Sequence, residues 1–284
     1  MGRDRPNSIR GIILSWPTLA CPTTGLVVIG HGSPDPEAIV EFQAFMRLIT
    51  AAHQGIIEYG YLEPLGIAEA IDRAITRIHD VAEGGASSPK ALVVLPAMLM
   101  AARHVNEDIP RELKKAQRLY PNIPITFAKS LHLHSSVYDL CRTRIQQALS
   151  NGHGVPVSKT TLLVIGRGTS NVQANEEVLR LTQRLGDELG FGWAIAGYAA
   201  FSSPRISEAF DIALGFPTKE ILLFPYFLFT GRLVKKVFGE ANRFQEIHKD
   251  HRVVVAGHLG PDPLVRDAMM DRFYETVSPY TVKS

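Results

Sequence analysis

From Leu26 onward the chain alternates between two rhythms. Short β-branched apolar runs give way to stretches in which apolar residues recur every three or four positions. The runs Leu26–Gly30, Ile56–Leu62, Ala91–Leu95 and Ile123–Ala128 read as strands. Ala91–Leu95 is wholly apolar, as a strand covered on both faces should be. Between the strands, Pro36–His53 places Ile39, Phe42, Met46 and Ile49 on one helical face. Ile67–Ala82 does the same with Ala70, Ile71, Ala74, Ile75 and Ile78. Val105–Leu119 and Ser136–Leu149 complete a first set of four strands and four helices.

The turn-rich Ser150-Asn151-Gly152-His153-Gly154 follows, and then the order repeats. The second strands are Leu162–Ile165, Trp193–Ala199, Glu220–Phe224 and Arg252–Ala256. Helices start near Val172, Arg205 and Val234, and a last one runs from Pro263 to about Thr276. Residues repeat as well as pattern. VVIGHGSPD matches LVIGRGTSN, which pairs Gly30 with Gly166 and His31 with Arg167. VVLPAMLMAARHVNE matches LLFPYFLFTGRLVKK, pairing Pro96 with Pro225, Arg103 with Arg232 and His104 with Leu233. GIAEAI matches RISEAF, which sets Glu63 opposite Ser202, and FAKSLHLHSSV matches VAGHLGPDPLV, which sets His134 opposite Asp262. The expected fold class is α/β, with two similar doubly wound parallel-sheet halves and a cleft between them. The expected limits are a loose leader over 1–25, a first domain over 26–150, a linker over 151–160 and a second domain over 161–284.

Bulk composition narrows the class further. The 284 residues are 45% hydrophobic and 20% charged, ordinary for a globular protein with a real core. A net charge of +2, without a dense Lys/Arg run, argues against nucleic acid as a partner. Nothing approaches the roughly 18 apolar residues of a membrane span. The leader is basic and only briefly apolar at Ile12-Ile13-Leu14 before Pro17 and Pro22, too short for the apolar core of about 7–15 residues in a signal peptide. The two cysteines, Cys21 and Cys141, lie far apart, which fits a reducing compartment, and the location expected is the cytoplasm. Cys141 reads as a core residue of its helix.

The comparison of the two copies selects the chemistry. Framework glycines and prolines occur in both, whereas His31, Glu63 and His104 become Arg167, Ser202 and Leu233. All three first-half residues follow strands and so belong at the carboxyl edge of one sheet, where open parallel sheets bind ligands. Two imidazoles and a carboxylate suit a first-row divalent metal. Simpler roles stand beside this: His31 as a loop histidine bonded to a neighbouring carbonyl, Glu63 as an acid at a helix start, His104 as a helix-entry residue. The apolar Leu99-Met100-Ala101-Ala102 before Arg103 and His104 suits a flat, greasy ligand, or packing against the second half. His132 and His134 follow the fourth strand and read as loop and helix-cap contacts, with transient metal acquisition the alternative.

Gly-His-Gly-Ser at 30–33, Leu-Glu-Pro at 62–64, and LPxxLxxxxHVxEDIP over 95–110 resemble the ATP-independent class II chelatases. Within them the similarity is to the sirohydrochlorin cobaltochelatases and their ferrochelatase relatives, over nearly the whole chain after the leader. The resemblance implies a bilobal α/β fold with a tetrapyrrole cleft. It implies that His31 binds metal and accepts protons, and that His104 binds metal. Glu63 and the loop Leu99, Met100, Ala101, Ala102, Arg103 and His104 would contact substrate. Ala101-Ala102-Arg103 departs from the glycine-rich stretch frequent in the family, and Arg103 would narrow the cleft or hold a substrate carboxylate. Arg167, Arg232, Lys235 and Lys236 are further candidate carboxylate anchors.

The expected function is therefore insertion of Co2+ into sirohydrochlorin without ATP, in cobalamin- or siroheme-type biosynthesis. No P-loop GxxxxGK[ST] occurs in the sequence. The alternatives are a sirohydrochlorin ferrochelatase using Fe2+, and a non-catalytic tetrapyrrole or metal carrier. A hydrolase is disfavoured because no GxSxG elbow occurs. No permanently bound cofactor is expected, the metal being substrate, and the internal duplication favours a monomer.

Overall fold

A computed structural model describes residues 24–62, 66–83, 90–100, 104–150 and 154–281, without the side chains of 104, 106 and 278–281. The first half contributes β1 (Thr24–Gly30), α1 (Pro36–Ala52), β2 (Ile57–Tyr61), α2 (Ile67–Glu83), β3 (Ala91–Pro96), α3 (Ile109–Leu119), β4 (Ile125–Phe127) and α4 (Ser135–Ser150). The second contributes β5 (Thr160–Gly166), α5 (Val172–Leu189), β6 (Trp193–Tyr198), α6 (Ile206–Leu214), β7 (Glu220–Pro225), α7 (Arg232–Ile247), β8 (Arg252–Val255) and α8 (Pro263–Thr281).

The strands form two parallel four-stranded sheets, ordered β2-β1-β3-β4 and β6-β5-β7-β8. Their registers superpose residue for residue. Gly30 lies opposite Tyr61 as Gly166 lies opposite Tyr198, and Ile29 lies opposite Pro96 as Ile165 lies opposite Pro225. In each sheet the strand order reverses between its two central strands, and this opens a crevice at their carboxyl ends.

The core follows from alternation along the strands. Val27 and Ile29 of β1, with Leu92 and Val94 of β3, face α2 and α3. Leu163, Ile165, Ile221 and Leu223 face α6 and α7. The opposite faces, with Leu26, Val28, Leu162, Val164, Leu222 and Phe224, turn inward and share one cluster built from α1, α4, α5 and α8. Both sheets are thus covered twice, which explains the unbroken apolar runs of the central strands.

The helices that end the two halves are exchanged across this inner layer. The helix α4 packs on β7 and β8 of the second sheet, and α8 packs on β3 and α1 of the first. Each is pinned by an arginine at the same place in the repeat. Arg144 on α4 donates from Nε to the carbonyl of His258 and from Nη2 to that of Leu259, at 3.1 and 2.8 Å. Arg272 on α8 donates from the same two nitrogens to the carbonyls of Ser130 and Leu131, both at 3.1 Å. Acids on α1 and α5 repeat the device: Glu41 meets His258 at 3.0 Å, and Glu177 meets His132 at 3.0 Å.

Several element ends differ from the sequence reading. Thr24 and Gly25 already pair with Ala91 and Leu92, so β1 begins inside the segment read as leader, while 1–23 lie outside the described residues. Thr160 likewise opens β5 rather than closing the linker. Residues His104–Asp108 form a π-helical turn ahead of α3. Pro110 has no N–H to give the carbonyl four residues back, and the regular α ladder starts only at Ile109. Ile39, read as a core residue of α1, stands 37% exposed and lines the cleft described below. Among the described residues no helix is long and apolar enough to cross a membrane.

Because each arginine satisfies two carbonyls from a half-buried position, Arg144→Ala and Arg272→Ala should each destabilise the protein by about 1–3 kcal/mol. Urea denaturation midpoints check this. Losses within the range of an ordinary surface substitution, under about 0.5 kcal/mol, would show that the pins carry no strain-free bond worth keeping.

A candidate active site between the two strand edges

The loop after β1 is built by its own sequence. Gly32 takes a φ of 83°, a left-handed value that a side chain resists. Ser33 Oγ then accepts from the Asp35 N–H at 3.1 Å, and Asp35 caps α1 by accepting from the Glu37 N–H at 3.1 Å. The loop after β5 repeats each step: Gly168 has a φ of 78°, Thr169 Oγ1 accepts from the Asn171 N–H, and Asn171 caps α5. Ser202, the counterpart of Glu63, braces this second loop by accepting from the Thr169 N–H and donating to the Thr169 carbonyl.

The two loops present His31 and Arg167 to one another. Arg167 Nη1 lies 2.9 Å from His31 Nε2. A guanidinium only donates, so Nε2 is the acceptor and the ring proton sits on Nδ1, which lies 3.3 Å from the Gly32 carbonyl. The simple role of His31, a loop histidine beside a carbonyl, is therefore real but engages only one of its two nitrogens.

Between the loops lies a cleft of about 370 Å3, bounded by the carboxyl edges of both sheets. Its walls are largely apolar: Phe42, Tyr61, Met98, Leu99, Met100 and Phe229. The Phe42 ring sits 5.0 Å from Tyr61 and 5.7 Å from Phe229, an aromatic wall contributed by both halves. Burial, with Tyr59 nearby, pushes the Tyr61 hydroxyl above its ordinary pKa, so it stays neutral. Polar groups are few and placed at the edges: His31, Arg167, Thr169, Asn175, Thr230 and Arg232.

Of the residues singled out in the sequence, His31, Leu99 and Met100 line the cleft. His104 opens the π-helical turn at its rim, and the adjoining Val105 lines the cleft, as does Leu233, the counterpart of His104. Glu63, Ala101, Ala102 and Arg103 lie outside the described residues, as does the His104 side chain. Among the described residues no group of three or more His, Cys, Asp or Glu side chains is arranged to hold a metal ion. The anchors divide. Arg232 is exposed on the cleft, whereas Lys235 is paired with Asp35 at 2.8 Å and with Glu37 at 3.2 Å, and Lys236 donates to the Ala199 carbonyl. His132 pairs with Glu177, while His134 Nδ1 accepts from the Ser136 N–H at the start of α4 and its Nε2 faces Asp271, as loop and cap residues do. Cys141 is fully buried in α4, and burial raises its thiol pKa. The sequence reading missed Tyr61 and Phe229. Both had a signal: Tyr61 ends β2 where Tyr198 ends β6, and Phe229 is the repeat counterpart of Met100.

Comparison with known proteins adds a family. The CbiX family matches residues 25–148 and 161–276. The chain belongs to the CbiX family. The class II chelatases that its motifs resemble are thus its relatives. A sirohydrochlorin cobaltochelatase of Priestia megaterium is 26% identical over 253 residues, covering 88% of this chain and 79% of that protein. A sirohydrochlorin ferrochelatase of Bacillus subtilis (strain 168) is 24% identical over 260 residues, covering 89% and 92%. The solved structure of SirB from Bacillus subtilis with Fe3+ superposes with a TM-score of 0.75 at 23% identity, covering 92% of this chain and 98% of SirB. The two CbiX spans fall on the two sheets, whose internal repeat pairs His31 with Arg167.

The CbiX loop bearing His31 is also tied to the second half by Asp35. Its carboxyl is held below the ordinary 3.8, first by the hydrogen bond from Lys235, against a partly opposing burial, and then by the Glu37 N–H. A lowered carboxylate stabilises the fold above its unfolded pKa, and that stabilisation is lost as pH falls through the lowered folded value. Asp35→Asn should therefore melt lower than the parent at pH 7, with the gap closing below about pH 3.8. Melting temperatures of both proteins from pH 7 down to pH 3 provide the check, and a gap independent of pH would rule out the charge as its source.

Proposed function

We propose that the protein inserts Co2+ into sirohydrochlorin without ATP, with Fe2+ as the alternative metal. The observation that carries the reading is a histidine whose Nε2 is an acceptor, set in a largely apolar cleft between two strand edges of a CbiX protein. Insertion replaces two pyrrole N–H protons by one divalent metal and releases two protons. A neutral imidazole is the natural first acceptor near pH 7, and His31 presents the required lone pair. The aromatic wall of Phe42, Tyr61 and Phe229 suits the flat face of a macrocycle. Arg167 and Arg232 suit its peripheral carboxylates.

In this reading the first half is the active copy. His31 and His104 bind the metal, and Glu63 with Leu99–His104 contacts the substrate. The second half serves as the opposing wall. The chain acts as a monomer in the cytoplasm, with neither nucleic acid nor membrane as partner, and metal passes through as substrate. Imidazole and carboxylate donors accept cobalt, iron and nickel alike, so metal preference needs its own measurement. A carrier would bind the same molecules and release them unchanged.

The experiment is a metal-insertion assay with purified sirohydrochlorin, followed by its absorbance change, with Co2+, Fe2+ and Ni2+ separately. Turnover of many equivalents per protein is expected, and a single stoichiometric binding event would favour the carrier. His31→Ala should abolish insertion while the melting temperature is nearly unchanged, since the residue lies in a loop; full activity would remove the central role. Arg167→Ala should keep measurable turnover with a raised KM for sirohydrochlorin, and an enzyme as inactive as His31→Ala would refute the single active copy. The rate should also rise with pH as the histidine proton acceptor becomes neutral. A flat profile from about pH 5 to 8 at saturating metal would exclude a histidine as the proton acceptor.

A further inference from the structure

We infer that Lys235 is a positioning residue for His31, a strut that reaches from the second half to hold the loop carrying it. The inference rests on the chelatase reading for the reaction that His31 serves, but the strut itself rests on geometry. Lys235 Nζ stands 2.8 Å from one carboxylate oxygen of Asp35, 3.0 Å from the other, and 3.2 Å from Glu37. The Asp35 side chain is only 6% exposed, so a partner of opposite charge is needed to hold it there. Only Gly32, Ser33 and Pro34 separate Asp35 from His31. That short stretch has little slack: Gly32 is in its left-handed turn, Ser33 Oγ accepts from the Asp35 N–H, and Pro34 fixes its own φ. A displaced Asp35 therefore displaces the imidazole.

The strut has a firm base. Val234 and Val237, on either side of Lys235 in α7, are buried in the core. Arg232 to Val234 line the cleft, whereas the Lys235 ammonium turns to the Asp35 carboxylate. The segment ahead of α7 lies against the same loop. The Thr230 N–H donates to Glu41 of α1 at 2.7 Å, and a Cβ placed on Gly231 would stand 3.6 Å from Ser33 Oγ. The twin loop does without such a strut. The repeat counterparts of Asp35, Glu37 and Lys235 are Asn171, Gln173 and Asn106, none of them charged. That loop is braced within its own half, where Asn175 accepts from the Thr169 N–H and donates to the Thr169 carbonyl. The place of Asn175 is taken in the first half by Ile39, which has no polar group to give and lines the cleft instead. The first half has an apolar wall where its twin has a brace, and Lys235 supplies a tie from across the joint.

The test is a double-mutant cycle on turnover with Lys235→Met, Asp35→Asn and the pair, together with the His31 Cε1–H resonance of the metal-free proteins. Asp35→Asn keeps a helix cap, since Asn171 caps α5 in the twin loop. Each single variant should lose about tenfold or more in kcat, as a reacting group misplaced by a fraction of an ångström does. The KM for sirohydrochlorin should stay nearly unchanged. The pair should be no worse than either single variant, and Lys235→Arg, which keeps the charge, should retain most of kcat. At about pH 8, where a histidine is neutral, the His31 resonance should move the same way in Lys235→Met and Asp35→Asn, although the two remove opposite charges. An unchanged kcat in Lys235→Met, losses that multiply in the pair, or Lys235→Arg as impaired as Lys235→Met overturns the strut. A His31 resonance that stays in place, or that moves in opposite directions in the two single variants, overturns it as well. A raised KM with kcat intact would make Lys235 a carboxylate anchor instead. If the parent inserts no metal, the chelatase reading fails and the resonance alone decides the strut.

Discussion

Everything at the cleft depends on the shared inner layer. The helices α4 and α8 each leave their own sheet and pack on the other, so neither sheet has a complete inner covering without its neighbour. Close-packed interiors do not slide continuously, and a core that spans both halves holds their strand edges in one relative position. That position brings the loop after β1 to within hydrogen-bond distance of the loop after β5. Had each half kept its own helices, the two edges would meet across an ordinary domain interface, free to open and shut.

The consequence for chemistry is a division of labour by wall. Outer helices α2, α3, α6 and α7 cover the far faces, and α7 also lends the cleft its first turn, Arg232 to Val234. The cleft itself is made from strand ends and the first turns of helices, where backbone direction changes and side chains point away from the sheets. Phe42 and Ile39 come from α1, Phe229 from the loop after β7, and Tyr61 from the end of β2. A flat ligand entering there would touch both halves at once, and its binding would reinforce the same joint that the exchanged helices make.

Much of this was legible in the sequence. The alternation of strand and helix predicted each of the strands and α-helices, though not the π-helical turn before α3, and the repeat predicted two parallel sheets and the pairing of Gly30 with Gly166 and Pro96 with Pro225, which the registers reproduce. Local chemistry was legible too, since Ser33 and Thr169, with Asp35 and Asn171, perform the same turn and cap. The helix exchange was not. Helical periodicity reports that a face is apolar, not which sheet it covers, and the stripes of α4 and α8 read the same either way. Nor could the sequence bring Lys235 to Asp35, because two residues 200 positions apart on different halves have no shared period. Lys235 looked like a ligand anchor and is half committed to the fold.

The meeting of residues 31 and 167 has one more consequence. Two equivalent positions that touch must lie close to the pseudo-two-fold axis relating the halves, where any residue meets its own image. In a strictly symmetric pair, such a site can hold only a group content to face itself. Two histidines would set like ring against like ring, and two arginines would set charge against charge. A donor facing an acceptor, with one wall differing from the other, requires that the twofold be broken exactly on its axis. Covalent duplication within one chain permits this, because each copy of the position is encoded separately. Like the Glu63–Ser202 and His104–Leu233 differences, the asymmetry at 31 and 167 is one that an assembly of identical single copies cannot reproduce, and it is the one placed where the two copies touch.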